Sequence, residues 1–302
     1  MPTQTKLVPL MMVTVALIWG GCFIAGRHLA TEVAPALTAF LRFFIACIVL
    51  YFFSRPTKQQ MQIIIKEQLW IRILLMGLSG VFLYNICFFY GFQDISASRG
   101  SLIVALNPAI IGLASFLFLK ENLGYIRWLG IAISLVGVTI IILSKDPQAL
   151  SMNAEAWKGD LLLLCCVTSW AIYSLVAKPV ITAIGATSAV LYSLIVGTLF
   201  LGLFALISQD LTLDNIQNIG LKEWSILFFL GGLGSSLAFV LYYMSINIIG
   251  ATMAGVYIAL VPIFGVTLGA LLLNEEITLA IIIGGSAATF GVILSNFNGK
   301  KP

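Results

Sequence analysis

The sequence predicts an all-α polytopic membrane protein in which ten transmembrane helices form two inverted five-helix repeats. Three observations predict it. Only 9% of the 302 residues are charged and 60% are hydrophobic; soluble domains carry about 25% charged residues, so this chain has too few to coat a globular surface. The apolar residues fall in continuous runs of about twenty, the length that crosses a hydrocarbon core, and their continuity excludes the in-out alternation of a transmembrane β-barrel. Residues of the first half also recur at fixed spacing in the second.

Bounded by charges and turn residues, the runs place spans near 7–27, 34–53, 71–91, 98–119, 126–144, 159–179, 186–207, 224–244, 250–273 and 279–296. The first run is longer than the apolar core of a signal peptide, and Trp19-Gly20-Gly21 is a poor cleavage site, so it reads as a retained span. Only 54–70, 145–158 and 208–223 are connections of any length. With the N-terminus inside, the inner segments hold Lys6, Arg55, Lys58, Lys66, Arg72, Lys120, Arg127, Lys178, Lys300 and Lys301. The outer ones hold Arg27, Arg99, Lys145, Lys158 and Lys222, and this excess of inner Lys and Arg predicts both termini cytoplasmic. The formal charge of +4 is scattered over loops, so no nucleic-acid partner is expected. Cys22, Cys47, Cys87, Cys165 and Cys166 all lie in apolar runs and read as small buried hydrophobes, with neither disulfide nor metal spacing.

The internal repeat is specific. Trp19 and Arg27 match Trp170 and Lys178 at one offset. After a short insertion, Trp70, Gly77, Gly80, Ala97, Pro108, Glu121, Gly130 and Gly137 match Trp224, Gly231, Gly234, Ala251, Pro262, Glu275, Gly284 and Gly291 at a second offset. The units are residues 1–150 and 151–302. Five spans per unit is an odd number, so the second unit must cross the membrane upside down, the architecture of many secondary transporters.

Trp19-Gly20, Leu41-Arg42-Phe43, Asn107-Pro108 through Phe118-Leu119-Lys120-Glu121, and the repeat from Pro262 to Leu272-Leu273-Asn274-Glu275 resemble the EamA-type family of the drug/metabolite transporter superfamily. The similarity covers nearly the whole chain. It implies ten helices, cytoplasmic termini in the inner membrane, and export of small metabolites, often amino acids, by alternating access through a central cavity. The chain departs from a symmetric pattern where Ser193 stands opposite Arg42 and Asn274 opposite Lys120.

Candidate site residues follow from position. Pro108 and Pro262 break the fourth and ninth spans and release the Val104 and Ile258 carbonyls; a hinge beside a cavity and an ordinary re-satisfied kink both fit. Arg99, Ile103 and Asn107 share one helix face, and Met253, Tyr257 and Val261 are their equivalents. Together these walls suit a solute with a carboxylate and an apolar side chain, although Arg99 at the outer interface, paired with Asp94, fits equally. Trp19, Trp170, Tyr173, Tyr90, Tyr243 and Tyr257 are candidate aromatic contacts, with packing near the two-fold axis the competing role for Trp19 and Trp170. Tyr84, Asn85 and Asn247 are polar groups in or beside the third and eighth spans, either facing the interior or tying helices together. Arg42 lies about 12 Å into its span at 1.5 Å per residue; a charge there is a functional candidate by default, and a carbonyl tie or snorkelling is the favoured assignment. His28 is assigned to a loop. Gly130 with Ser134, Gly265 with Gly269, and Gly284 with Ala288 either join the fourth span to the fifth and the ninth to the tenth, the favoured reading, or make a dimer.

No Asp or Glu falls mid-span and no phosphate-binding, zinc-protease or serine-hydrolase motif occurs. An enzyme is therefore not expected, nor a cofactor or metal. The expected partners are a small-molecule substrate and the lipid bilayer, with the chain monomeric. A facilitative channel and an intramembrane enzyme acting on a lipid-linked substrate are the rival readings.

Overall fold

The computed structural model describes residues 2–54, 56–94, 103–120, 124–145, 156–273 and 278–297. Among these every regular element is helical. The elements are α1 (Pro2–Glu32), α2 (Pro35–Ser54), α3 (Lys58–Lys66), α4 (Trp70–Met76), α5 (Tyr84–Asp94), α6 (Asn107–Leu119), α7 (Gly124–Lys145), α8 (Ala156–Ile184), α9 (Ala186–Ile207), α10 (Leu213–Gln217), α11 (Leu221–Phe228), α12 (Ala238–Ile249), α13 (Ala251–Tyr257), α14 (Val261–Leu273) and α15 (Leu279–Phe297). Among the described residues seven helical stretches are long and apolar enough to cross a bilayer, and three shorter apolar ones accompany them. Large apolar side chains such as Phe53, Phe118 and Leu199 point outward and are exposed, a surface that lipid covers and water does not tolerate at this extent. The chain is a multi-pass membrane protein.

Several expected spans run further than their apolar cores. The sixth continues to Ile184 and the eighth to Ile249, and each ends on a glycine, Gly185 at φ +82° and Gly250 at φ +84°. A side chain with a Cβ rarely adopts that backbone, so these glycines let one helix turn into the next through a single residue. His28, assigned to a loop, is instead in the last turns of α1, with Nε2 3.4 Å from Glu223 Oε1 on α11. The connection after α2 folds into α3, whose start is fixed by a capping box between Thr57 and Gln60. Gln60 also reaches Ser188 Oγ (2.8 Å) on α9.

The third and eighth spans each contain a π-helical stretch, Gly77–Leu83 between α4 and α5 and Phe229–Leu237 between α11 and α12. The Tyr84 N–H bonds the Ser79 carbonyl and the Ala238 N–H bonds the Leu233 carbonyl, each five residues back. Both bonds fall at equivalent places in the repeat. Glycines give these stretches their close neighbours. A Cβ on Gly77 would lie 2.8 Å from the Ser193 carbonyl oxygen, and one on Gly231 would lie 2.7 Å from the Arg42 carbonyl oxygen. A Cβ on Gly80 would overlap the Tyr173 ring, and one on Gly234 would meet Cys22 Sγ at 2.6 Å. Each contact is the other's counterpart with the halves exchanged.

The small-residue stripes overturn one expectation. Gly130, Ser134, Gly284 and Ala288 do not join neighbours within a half; they join α7 to α15 across the halves. Cβ atoms on Gly130 and Gly291 would each fall 2.7 Å or less from the other's carbonyl oxygen, and Ser134 Oγ donates to the Ala288 carbonyl at 3.1 Å. Small side chains let two backbones approach this closely. The packing does not follow sequence adjacency. Gly265 likewise faces Gly20 of α1.

Candidate functional site

The proline breaks come first. At the first, a turn at residues 105–106 precedes α6 and Pro108 occupies its first turn. The Val104 carbonyl is taken by Asn107 Nδ2 at 2.9 Å. At the second, a 3-10 turn over Ile258–Leu260 separates α13 from α14, and the Val261 N–H bonds the Ile258 carbonyl. Proline thus starts each second half-helix, where its missing N–H is tolerated, and a local donor satisfies each released carbonyl.

Around the meeting of α1, α5, α8 and α12 lies an aromatic cluster. Trp19 and Trp170 pack edge to face with centroids 5.4 Å apart and planes at 82°. Trp170 also lies 5.4 Å from both Tyr84 and Phe239, and Trp19 lies 5.4 Å from Tyr242. Tyr173 and Tyr243 continue the cluster at 4.9 Å. Its deep side is sealed: Tyr173, Tyr242 and Tyr243 are fully buried. Tyr173 Oη pairs with Ser193 Oγ at 2.8 Å and Tyr242 Oη with Ser174 Oγ at 3.2 Å. Trp19, Cys22 and Tyr84 on the other side are only half-buried.

The π-helical stretch Phe229–Leu237 borders that less buried side. The Gly234 carbonyl accepts from Trp19 Nε1 at 3.0 Å, and the next residue, Ser235, accepts through Oγ from Arg42 Nε at 2.7 Å. Two successive residues therefore hold an indole and a guanidinium side by side. The guanidinium lies 5.2 Å from the Phe43 ring centre, and Cys22 and Tyr84 are its ionisable neighbours. Among the described residues no carboxylate pairs with it. Arg42 is thus tied to a side-chain hydroxyl, and not to the backbone carbonyl that its sequence position suggested. Among the described residues no set of three or more His, Cys, Asp or Glu could hold a metal.

Of the residues singled out in the sequence, Trp19, Tyr84, Trp170, Tyr173 and Tyr243 come together here. Asn85 is buried nearby but its Nδ2 is spent on the Val81 carbonyl at 2.6 Å. Tyr90 turns toward Phe204 of α9, 6.1 Å away. Asn107 is buried, its Oδ1 without a hydrogen-bond partner. Tyr257 lines a lateral cleft of about 390 Å³ with Pro9, Val13, Leu260 and Thr289, apart from the cluster. Asn247 is exposed and accepts from Thr182 Oγ1 at 3.2 Å. Pro108 and Pro262 stand at the breaks, and Arg99 lies outside the described residues. The cluster also holds Ser235, Phe239 and Tyr242, which the sequence did not single out, together with Cys22, read there as a buried hydrophobe, and Arg42, read there as structural. Arg42 was legible as a charge inside a span, a functional candidate by default; Ser235 carried no such signal.

The family model of EamA-like transporters matches residues 6–143 and again 157–297. The chain belongs to the EamA-like transporter family. Two matches, one in each half, are what a duplicated member of that family gives. Among the chain's EamA relatives are two Bacillus subtilis proteins. Uncharacterized transporter YetK is 25% identical over 94% of this chain and 85% of its own length. Uncharacterized transporter YoaV is 27% identical over 96% and 97%. An uncharacterized transporter of Archaeoglobus fulgidus is 26% identical over 95% and 96%. A protein of known crystal structure superposes with a TM-score of 0.81 at 18% identity, covering 96% of each chain, a likeness of fold.

Proposed function

We propose that this EamA protein is a secondary transporter, working as an exporter, of small organic metabolites such as amino acids or related amphiphiles. It works by alternating access through the junction of its halves. The observation that carries the reading is the meeting of equivalent positions. Trp19 touches Trp170, Cys47 Sγ lies 3.4 Å from Thr198 Oγ1, and Ser134 bonds Ala288. In each pair the partners occupy the same place in the two repeats. Residues that meet their own equivalents lie along a pseudo-two-fold axis. With ten crossings, five per repeat, that axis runs in the membrane plane and the second half is inverted. Both termini then lie in the cytoplasm of a cell whose inner membrane holds the protein, in keeping with the excess of Lys and Arg in the inner segments.

The pathway residues of this reading are Trp19, Tyr84 and Trp170, with Tyr173 and Tyr243 beneath them. Asn107 and Tyr257 sit at the breaks beside Pro108 and Pro262, where half-helices reorient between open states. Counterflow of labelled solutes in proteoliposomes tests the function: saturable counterflow abolished in Trp19→Ala supports it. Conductance without saturation or counterflow identifies a channel instead.

A further inference from the structure

Arg42 is the charge that α2 carries into the interior, and its surroundings are incomplete. Nε is bonded to Ser235, but among the described residues the two Nη groups donate to nothing and no Asp or Glu stands against them. The side chain is half-buried, and the described groups beside it on the open side of the cluster are Trp19, Cys22 and Tyr84. A cation that served only to tie helices together would have its forked donors occupied, because an unpaired charge in a low-dielectric interior is costly. Here one edge of the guanidinium is anchored and the other is left open beside aromatic faces.

The opposite half supplies no second charge. Ser193, the equivalent of Arg42, is fully buried, paired with Tyr173 Oη and donating to the Val190 carbonyl at 2.8 Å. The site is therefore one-sided, with a single positive charge. We infer that Arg42 is the anchor for the carboxylate of an organic monoanion whose aromatic or aliphatic body lies against Trp19 and Tyr84. The open Nη pair presents parallel N–H donors, the arrangement that takes a carboxylate in two hydrogen bonds. One cation balances one negative charge, which favours a carboxylate over a dianionic phosphate. No acidic side chain among the described residues pairs with a cation here, so an ammonium group finds only ring faces. This inference rests on the transport reading for its biological meaning but not for its test, which is binding.

The test uses the full chain, purified in detergent at low ionic strength. Tryptophan fluorescence is followed while phenylacetate, 4-methylvalerate, phenyl phosphate and phenethylamine are titrated in turn. The two monocarboxylates are expected to change the fluorescence saturably and to bind about ten-fold or more tightly than phenethylamine, as a charge-assisted pair requires. Arg42→Gln is expected to lose that binding, and Arg42→Lys, which keeps the charge without the fork, to retain part of it. If Arg42→Gln does not fold, Ser235→Ala decides, because it leaves the charge in place but unanchored and should weaken carboxylate binding about three- to ten-fold. Equal binding in wild type and the variant that decides overturns the inference. So does binding of neither monocarboxylate, or a preference for phenethylamine or phenyl phosphate. Counterflow in proteoliposomes separates the two readings. Counterflow unaffected in Arg42→Gln removes the anchor and leaves the transporter. Arg42-dependent binding without counterflow of any bound solute leaves the anchor and removes the transporter.

Discussion

Trp19 and Trp170 are the same position in the two repeats, yet only one of their indole N–H groups is bonded. Trp19 Nε1 donates to the Gly234 carbonyl at 3.0 Å, while Trp170 Nε1 is buried and makes no hydrogen bond. Their rings meet edge to face, a geometry worth about 0.5–1.5 kcal/mol beyond burial. Phenylalanine in place of either keeps a ring, so the two substitutions separate stacking from hydrogen bonding. Trp19→Phe is expected to lower thermal stability by about 1 kcal/mol, the usual net value of such a bond. Trp170→Phe removes an unbonded donor and is expected to cost less. Thermal unfolding of both variants checks the order; a larger loss for Trp170→Phe contradicts it.

Gly80 and Tyr173 make a second prediction. A Cβ at position 80 would overlap the Tyr173 ring, and Gly80 sits within the π-helical stretch Gly77–Leu83, packed against α8 and α9. Gly80→Ala is expected to destabilise the protein by about 1–3 kcal/mol, as overpacking does. In Tyr173→Ala the opposing ring is gone, so adding Gly80→Ala should cost less than it does alone. A double-mutant cycle on thermal stability measures that coupling. Strict additivity would mean that the two side chains do not meet.

The repeat was legible because Trp, Pro and Gly are rare enough for their spacing to carry information, and the apolar runs marked the spans. What the sequence hid is informative. Gly77, Gly80, Gly231 and Gly234 stood out as paired glycines, but no pattern of residues distinguishes a π-helical turn from an α-helical one. The open side of the site depends on those turns, since they aim the Gly234 carbonyl at Trp19 and the Ser235 hydroxyl at Arg42. Helix partners were hidden for a related reason. A stripe such as Gly130 and Ser134 states that a backbone comes close without saying whose. Tyr90, Asn247 and Tyr257 share composition with the cluster residues but not their direction, which residue spacing along separate helices could not settle.

Ser134 and Ala288 allow the pairing of α7 with α15, and the monomeric state, to be tested together. With the five native cysteines replaced by serine or alanine, Ser134→Cys with Ala288→Cys places two thiols where a hydroxyl and the facing backbone are in hydrogen-bond contact at 3.1 Å. Oxidation is expected to join them within one chain, changing its mobility on denaturing gels without doubling its mass. Bridging found only between chains would instead assign this stripe to a dimer. The geometry required for a disulfide is narrow, with Cα atoms roughly 4.4–6.8 Å apart, so bridging at this pair reports close approach of the two helices.

Asn107 and Pro108 separate a hinge from an ordinary kink. Pro108 cannot donate to the Val104 carbonyl, and Asn107 Nδ2 does so instead at 2.9 Å. Removing the amide leaves a buried acceptor unpaired, so Asn107→Ala is expected to cost about 1–3 kcal/mol of stability. Pro108→Ala restores a backbone N–H that can reach Val104 as the helix straightens. In that background Asn107→Ala should cost little, a coupling that a double-mutant cycle detects. The functional consequence then follows from the two stabilities. If the break is a hinge, Pro108→Ala keeps or raises stability while counterflow falls, because a continuous helix resists the reorientation that alternating access needs. Full counterflow in a stable Pro108→Ala protein would make the break a packing kink, with Asn107 serving only to close it.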